Sequence, residues 1–337
     1  LGPIEMAVAA GSLLRSRIGR STTYPAASFA KAAVSSYGAV IAHRFLLNYT
    51  EKLWGIPTIE LDAEATGGRI RSLGITTLIA ELLGRRRASH MEGRFLYPEL
   101  GFGRIWDSVV NKLPSDVVRR RCAVERLTFE GDKLQAVVTR DGEHFRGKTV
   151  ISTLPLPRFA KMCADRLPAA DVAEIQRLAF RTLRLVFLGI RRPPLTRFAS
   201  LYFPDPRIPF TRLYESTNRS ASMAPSGSTA IALELPCSPG DRWAEASESD
   251  LHHAAIQLLD SRFAVESRNV EVCETLTLPN AYPVLRIGAD ARIRPVIDRL
   301  IEIPNLLLLG RNQRFSYVHV HDLIAEALRI IPNSKVR

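Results

Sequence analysis

Four consecutive leucines, Leu306 to Leu309, stand between Asn305 and the pair Gly310-Arg311. A short, wholly apolar run of this kind reads as a strand buried on both faces, as in a doubly wound α/β sheet. The glycine at its end lets the backbone approach a ligand at the carboxyl edge, where ligands of open α/β folds bind. Arg311 can then answer an anionic oxygen. An ordinary strand-end turn would look the same. Residues Val320 to Ile331, rich in Leu, Ile and Ala, read as a helix that follows the strand.

The rest of the chain changes texture several times. From Ala26 to Leu47 small and apolar residues recur at helical spacing, and Thr76 to Leu83 continue the pattern after Gly67-Gly68, so the first ninety residues read as mostly helical. A β-rich stretch opens at Asp116 with Val117-Val118. It continues through Ala123 to Phe129, Leu134 to Thr139 and His144 to Arg146, with turns at Gly131 and Gly142, the pattern of an antiparallel meander. Lys148 to Thr153 forms one more strand, ended by Pro155 and Pro157. Leu183 to Ile190, Ser200 to Phe203, Thr229 to Leu235 and Val270 to Leu278 suggest a second sheet, and Ser249 to Phe263 a helix that covers one face of it. A domain crossing is expected near Pro155.

Bulk properties exclude more than they assign. With 337 residues, 46% of them hydrophobic, the chain can bury two cores. No apolar run reaches the roughly 20 residues that a membrane-spanning helix requires. The start, Leu1-Gly2-Pro3-Ile4-Glu5, reads as an interior cut rather than a signal peptide. The four cysteines, at 122, 163, 237 and 273, form no CxxC pair, which argues against a zinc site or a disulfide framework and fits a reducing cytoplasm. The net charge of +12 and the triplets Arg85 to Arg87 and Arg119 to Arg121 raise nucleic acid as a partner. Against it, the basic residues are scattered along the chain, and no basic strand carries the interleaved aromatics that stack on bases. Gly101-Phe102-Gly103 lacks a third glycine and a preceding apolar strand, so it is no dinucleotide fingerprint.

Five stretches together resemble one superfamily. They are Tyr49 to Gly55, Tyr97 to Trp106, Val150 to Pro155, Ala281 to Val284, and Leu309-Gly310-Arg311 with the helix after it. In this order they are similar to the FAD-dependent amine oxidase, protoporphyrinogen oxidase and phytoene desaturase superfamily, in its protoporphyrinogen-oxidase-like bacterial branch. The resemblance implies a mixed α/β fold. A doubly wound FAD-binding domain, incomplete at its N-terminus, would interleave with a substrate domain of a sheet and helices. Residues 1–90 would be the helical part of the substrate domain, and 91–157 an FAD-domain segment holding the meander and a crossover strand. Residues 158–280 would supply the substrate-domain sheet and helix, and 281–337 the C-terminal FAD segment.

The resemblance also implies site residues. Gly310 and Arg311 would meet a phosphate or ribityl oxygen. His321, Asp322 and Leu323 would lie nearest the flavin, with the helix N-terminus toward the ring's pyrimidine side, where negative charge collects on reduction. Val124 matches a position whose backbone pairs with the adenine edge, and a plain β-branched core residue reads the same. Tyr97, Gly101 and Gly103 resemble the point where the chain re-enters the cofactor domain, with glycines for close approach, though a Gly-rich loop before a helix near Ile105 reads the same. Tyr282 would stand near the flavin face of the substrate cavity, or be a buried tyrosine at a sheet corner.

No catalytic side chain is assigned by this reading. His319 and His321, two residues apart beside Asp322, do not share a helical face, so a metal site is not expected. The family's Gly-rich opening has no counterpart here, and Val318 and His319 stand where relatives often have Asn. The implied activity is removal of a hydride equivalent from a C–N or C–C bond of a small organic substrate, with the electrons passed to oxygen or another acceptor. Two alternatives stay open: a redox-neutral flavoenzyme resembling UDP-galactopyranose mutase, and a non-catalytic truncated remnant.

Overall fold

A computed structural model describes residues 3–18, 27–66 and 96–330. The helical expectation for Thr76 to Leu83 lies outside them. In chain order the main elements are α1 (Pro3–Ile18), α2 (Phe29–Ile41), α3 (Asn48–Trp54) and α4 (Gly103–Val110). Then come β1 (Val124–Glu130), β2 (Lys133–Thr139), β3 (His144–Arg146), β4 (Val150–Ser152), α5 (Leu156–Met162) and α6 (Ala169–Gln176). They are followed by β5 (Phe180–Ile190), β6 (Ser200–Tyr202), β7 (Arg212–Glu215), β8 (Thr229–Cys237), α7 (Glu248–Phe263) and β9 (Val270–Pro283). The last are α8 (Ala289–Ile301), β10 (Leu306–Leu308) and α9 (Val320–Ile330).

The chain forms two compact units, one of residues 1–60, 68–118 and 181–281, the other of 61–67, 119–180 and 282–337. The boundaries fall after Val118 and Phe180, where the sequence reading expects them at 90 and 157. Residues 97–118 belong with the larger sheet because Tyr97 bonds to Tyr214 of β7 and Gly101 lies against Met223. Residues 158–180 belong with the meander because Phe159, Cys163 and Ile175 share a core with Leu127 and Leu134. Val117 and Val118 form no strand; both are exposed, and the first strand begins at Val124 after Arg121 turns the chain at a φ of +56°.

The first unit is built on a five-stranded sheet in the order β6-β7-β8-β5-β9, with the β6-β7, β7-β8 and β8-β5 pairs antiparallel. Alternation along β5, β7 and β8 sends Val186, Leu188, Leu213, Ile231 and Leu233 to one face, where Leu251, Ala255, Leu258 and Leu259 of α7 cover them. A capping box between Ser247 and Asp250 starts α7. Gly38 allows α2 to lie close to α1: its φ is +76°, and a Cβ there would stand 2.8 Å from the Leu13 backbone nitrogen.

The second unit contains the β1-β2-β3 meander, the parallel pair β4-β10, and helices α5, α6 and α8. Asn305 joins meander and parallel pair as a side-chain imitation of a strand. Its Oδ1 accepts from Leu134 N at 3.0 Å and its Nδ2 donates to Leu134 O at 2.7 Å. The leucine run departs from its expected burial on both faces. Leu306 and Leu308 are buried against α8, whereas Leu307 is half-buried and its partner Ile151 is 45% exposed. Leu307 and Ile151 lie on the second face of this pair, which is only partly covered.

Candidate functional site

Register brings the carboxyl ends of β4 and β10 together. Leu308 pairs with Ser152, and the Leu309 N–H extends the ladder to the Ser152 carbonyl at 2.9 Å. Gly310 then turns the chain at a φ of +88°; a Cβ there would stand an ordinary 3.6 Å from Thr153, so conformation rather than space selects glycine. Arg311 follows, its guanidinium carbon 5.4 Å from the ring centre of Tyr282 and 6.0 Å from that of Tyr317. Both distances suit a cation over an aromatic face. The row of rings continues from Tyr317 edge-on to His319 at 5.8 Å and from His319 stacked on His321 at 5.6 Å.

Thr153, Arg311, Asn312, Val318, Val320 and Leu323 enclose a hollow of about 290 Å³ at these strand ends. A second hollow of about 420 Å³ adjoins it through Val318 and Leu323 and is also lined by Arg314, Asp322 and Glu326. Arg314 pairs with Glu326 and donates through Nε to the Leu308 carbonyl at 3.3 Å, which fastens α9 to β10. The helix is capped by its own sequence: His319 N donates to Asp322 Oδ2 at 3.0 Å, and the first intrahelical bond runs from Leu323 N to His319 O. The N–H groups of Val320, His321 and Asp322 therefore have no intrahelical acceptor, and the positive end of the helix borders the hollow that Val320 lines. Asp322, in the first turn, offsets part of that positive potential.

Beneath the hollow, Ser152 Oγ donates to Gln313 Oε1 at 2.7 Å, and Gln313 is wholly buried. Its Nε2 has no hydrogen-bond partner among the described residues. A buried donor without an acceptor costs about 1–3 kcal/mol.

Of the residues singled out in the sequence, Arg311 and Leu323 line the first hollow, Gly310 turns the chain into it, and Tyr282 reaches it through Arg311. Asp322 lines the second hollow and caps the helix. His321 lines neither; its exposed ring stacks on His319 and its Nε2 lies 3.5 Å from Asp322. Val124 lies at the start of β1, where its carbonyl accepts from Arg158 Nη2 at 2.8 Å. Tyr97, Gly101 and Gly103 belong to the other compact unit. There the Tyr97 and Tyr214 hydroxyls meet at 3.0 Å, and burial, then that bond, pushes Tyr214 up to about 12. Gly101, at a φ of +92°, would carry a Cβ 3.1 Å from Met223 Sδ. Gly103 begins α4, and among the described residues nothing lies within 4 Å of where its Cβ would be. Arg119 of the second arginine triplet is engaged by the Glu143 carboxylate at 3.0 and 3.1 Å.

Thr153, Asn312, Gln313, Tyr317 and Val320 were not assigned from sequence. Thr153 lies within the quoted strand Val150 to Pro155, and the others follow Gly310-Arg311 directly; position beside a strand end was the available signal. Among the described residues no helix is long and apolar enough to cross a membrane.

Comparison with known proteins agrees with this architecture. Among solved structures, the chain is similar to reduced UDP-galactopyranose mutase, with a TM-score of 0.74 and 19% identity over 94% of this chain and 68% of that one. It is similar to a protein from Exiguobacterium sp. 255-15 described as a protoporphyrinogen oxidase, with a TM-score of 0.70 and 16% identity over 93% of this chain and 68% of that one. An oxidoreductase from Methanosarcina mazei matches at a TM-score of 0.58 and 17% identity, over 93% of this chain and 68% of that one. At such identities the likeness concerns the fold. The donor set at the strand ends suits a flavin: a glycine turn, an arginine over two tyrosines, a helix N-terminus and an orphaned buried amide. The family described as flavin containing amine oxidoreductase matches residues 27–296, well over half of the chain, and the chain belongs to that family.

Proposed function

We propose that the protein is an FAD-dependent oxidoreductase that removes a hydride equivalent from a C–N or C–C bond of a small organic substrate. The observation that carries this reading is the cradle at the carboxyl ends of β4 and β10, within a chain of the flavin containing amine oxidoreductase family. A bound flavin would supply hydride acceptance, which no side chain can provide. In this reading the unit of residues 61–67, 119–180 and 282–337 holds the cofactor, and the unit with the five-stranded sheet selects the substrate.

Each residue then has a physical task. Gly310 brings the backbone close to the cofactor, and Arg311, held over Tyr282 and Tyr317, donates to a phosphate or ribityl oxygen. The first-turn N–H groups of α9, from Val320 through Asp322, would face the pyrimidine side and favour the charge of the reduced state. Leu323 and Val318 give the hollow an apolar wall that excludes water. Tyr282 would stand near the flavin face, and the Val124 backbone would pair with the adenine edge. In the substrate unit Tyr97, with Tyr214, and Gly101 form part of the substrate wall, and Gly103 begins the helix behind it.

The test is anaerobic mixing of the flavin-loaded protein with panels of amines and of partly saturated ring compounds. Loss of the oxidised flavin's visible absorbance on substrate addition supports the proposal. A second reading, a redox-neutral transformation of an anionic sugar nucleotide, is favoured by the likeness to reduced UDP-galactopyranose mutase and by the net charge of +12. It requires turnover only after external reduction of the flavin, with no net consumption of electrons.

A further inference from the structure

Under the proposed assignment of substrate selection to the unit with the five-stranded sheet, we infer that Ala232, set between Phe187 and Tyr214, determines which substrates fit. The sheet face that carries these three residues takes a flat, uncharged ring bearing one hydrogen-bonding group. Phe187 of β5 and Tyr214 of β7 both pair with Ala232 of β8, so the three side chains stand in one row across the sheet. Alternation turns them away from Val186, Leu188, Leu213 and Leu233, which pack under α7. Two strand spacings, about 9.5 Å in all, separate the outer two. With contact distances of about 3.5 Å on each side, one ring can lie above the alanine methyl.

Exposure and charge indicate what fits there. β5 is an inner strand of the sheet, yet Phe187 is 38% exposed, and Ala232 beside it is only half-buried. On neighbouring β9, Val272 is exposed as well, and a Cβ on Gly189 would stand 3.3 Å from its Cβ, which places Val272 on the same face. A contiguous exposed apolar patch of this kind marks a binding surface. The next row of the same face holds Tyr202, Arg212 and Glu234. There Arg212 Nε donates to Glu234 Oε2 at 2.9 Å, so the row brings no net charge to the slot. At the Tyr214 end, the Tyr97 and Tyr214 hydroxyls lie 3.0 Å apart and use one proton between them, which leaves the other O–H and the lone pairs for a ligand. Two aromatic walls, a small floor and a neutral hydroxyl pair suit a flat ring with one polar substituent. A carboxylate or phosphate in the same slot would be buried without a counter-charge.

The experiment is equilibrium titration of the full chain, with and without FAD, with 2-naphthol, its saturated counterpart decahydro-2-naphthol and the anion naphthalene-2-sulfonate. The expected result is binding of 2-naphthol at one site per chain, with the other two probes weaker by about tenfold or more. Ala232→Leu fills the slot and should weaken 2-naphthol about tenfold or more, whereas Leu14→Ala, at an exposed position of α1, should leave it unchanged. Phe187→Ala removes one wall and should weaken 2-naphthol several-fold, which keeps the test decisive if Ala232→Leu melts early. No binding of 2-naphthol at its solubility limit, undiminished binding in both slot variants, or preference for the sulfonate overturns the inference. So does loss of self-association rather than of ring binding in the slot variants, which would give the face to a second copy of the chain. Ring binding that the slot variants lose, with no ring compound reducing the flavin, upholds the slot and defeats the proposed reaction. Flavin reduction by ring compounds with the same kcat and KM in Ala232→Leu defeats the slot alone.

Discussion

At Arg311 one side chain joins two tyrosine rings to the strand-end hollow. Replacing it with alanine removes both the cation over the rings and a donor to the ligand. Arg311→Ala should weaken FAD binding about tenfold or more, while Arg311→Lys, which keeps charge but loses the planar fork, should recover only part of it. Fluorescence titration of FAD into both variants checks this; equal affinity for all three proteins would remove Arg311 from the site. Cys163 gives a residue-scale prediction of a different kind. Burial, reinforced by the Asp165 charge and opposed by Arg166, pushes its thiol up to about 12. Only the thiolate is reactive, so Cys163 should resist alkylation near pH 8 while half-buried Cys122 is labelled, as mass spectrometry of the native protein would reveal.

Between elements, single polar side chains do much of the fastening. Asn305 holds the meander to β10 through two bonds to Leu134, and Asn305→Ala should cost about 1–3 kcal/mol in chemical unfolding, with early loss of the β4-β10 pair. Wild-type stability in that variant would mean that the core alone holds the meander. Glu215 fastens the other unit. This wholly buried carboxylate accepts from Leu195 N, Thr196 N, Asn218 Nδ2 and Thr229 Oγ1, at 2.6, 3.1, 2.9 and 2.8 Å. Lys52 is its cationic counterpart, donating to the carbonyls of Phe203, Asp205 and Phe210, with burial lowering its pKa to about 8. Neither was legible in the sequence, because a lone Glu or Lys on a strand or helix looks like solvated surface until the distant segments that bond to it are in place. The strands themselves were legible: β1, β2, β3 and α7 stand within a residue or two of their sequence-derived limits, since alternation and turn residues act locally. β7 and α8 escaped, the first for its shortness and the second because Pro295 lies inside it.

Across the whole molecule, the two cores give a way to separate cofactor holding from substrate selection. Leu308 belongs to the core under the strand-end hollow, and Leu233 to the core between the five-stranded sheet and α7. Each changed to alanine should lose about 2–5 kcal/mol of stability. In conditions where both variants remain folded, only Leu308→Ala should release FAD more readily, because it slackens the strand that carries Gly310 and Arg311. Equal release by both would argue that the cofactor is not held by that strand end. The order of motifs gave the family, yet the unit boundaries at 118 and 180 were not legible, because they depend on which core a segment joins rather than on its own pattern. The measurement that bears most directly on the whole interpretation is the FAD content of the purified protein, released by denaturation and compared with protein concentration. About one FAD per chain, falling sharply in Arg311→Ala, is the expected result; protein that carries no FAD even after incubation with excess cofactor would contradict it.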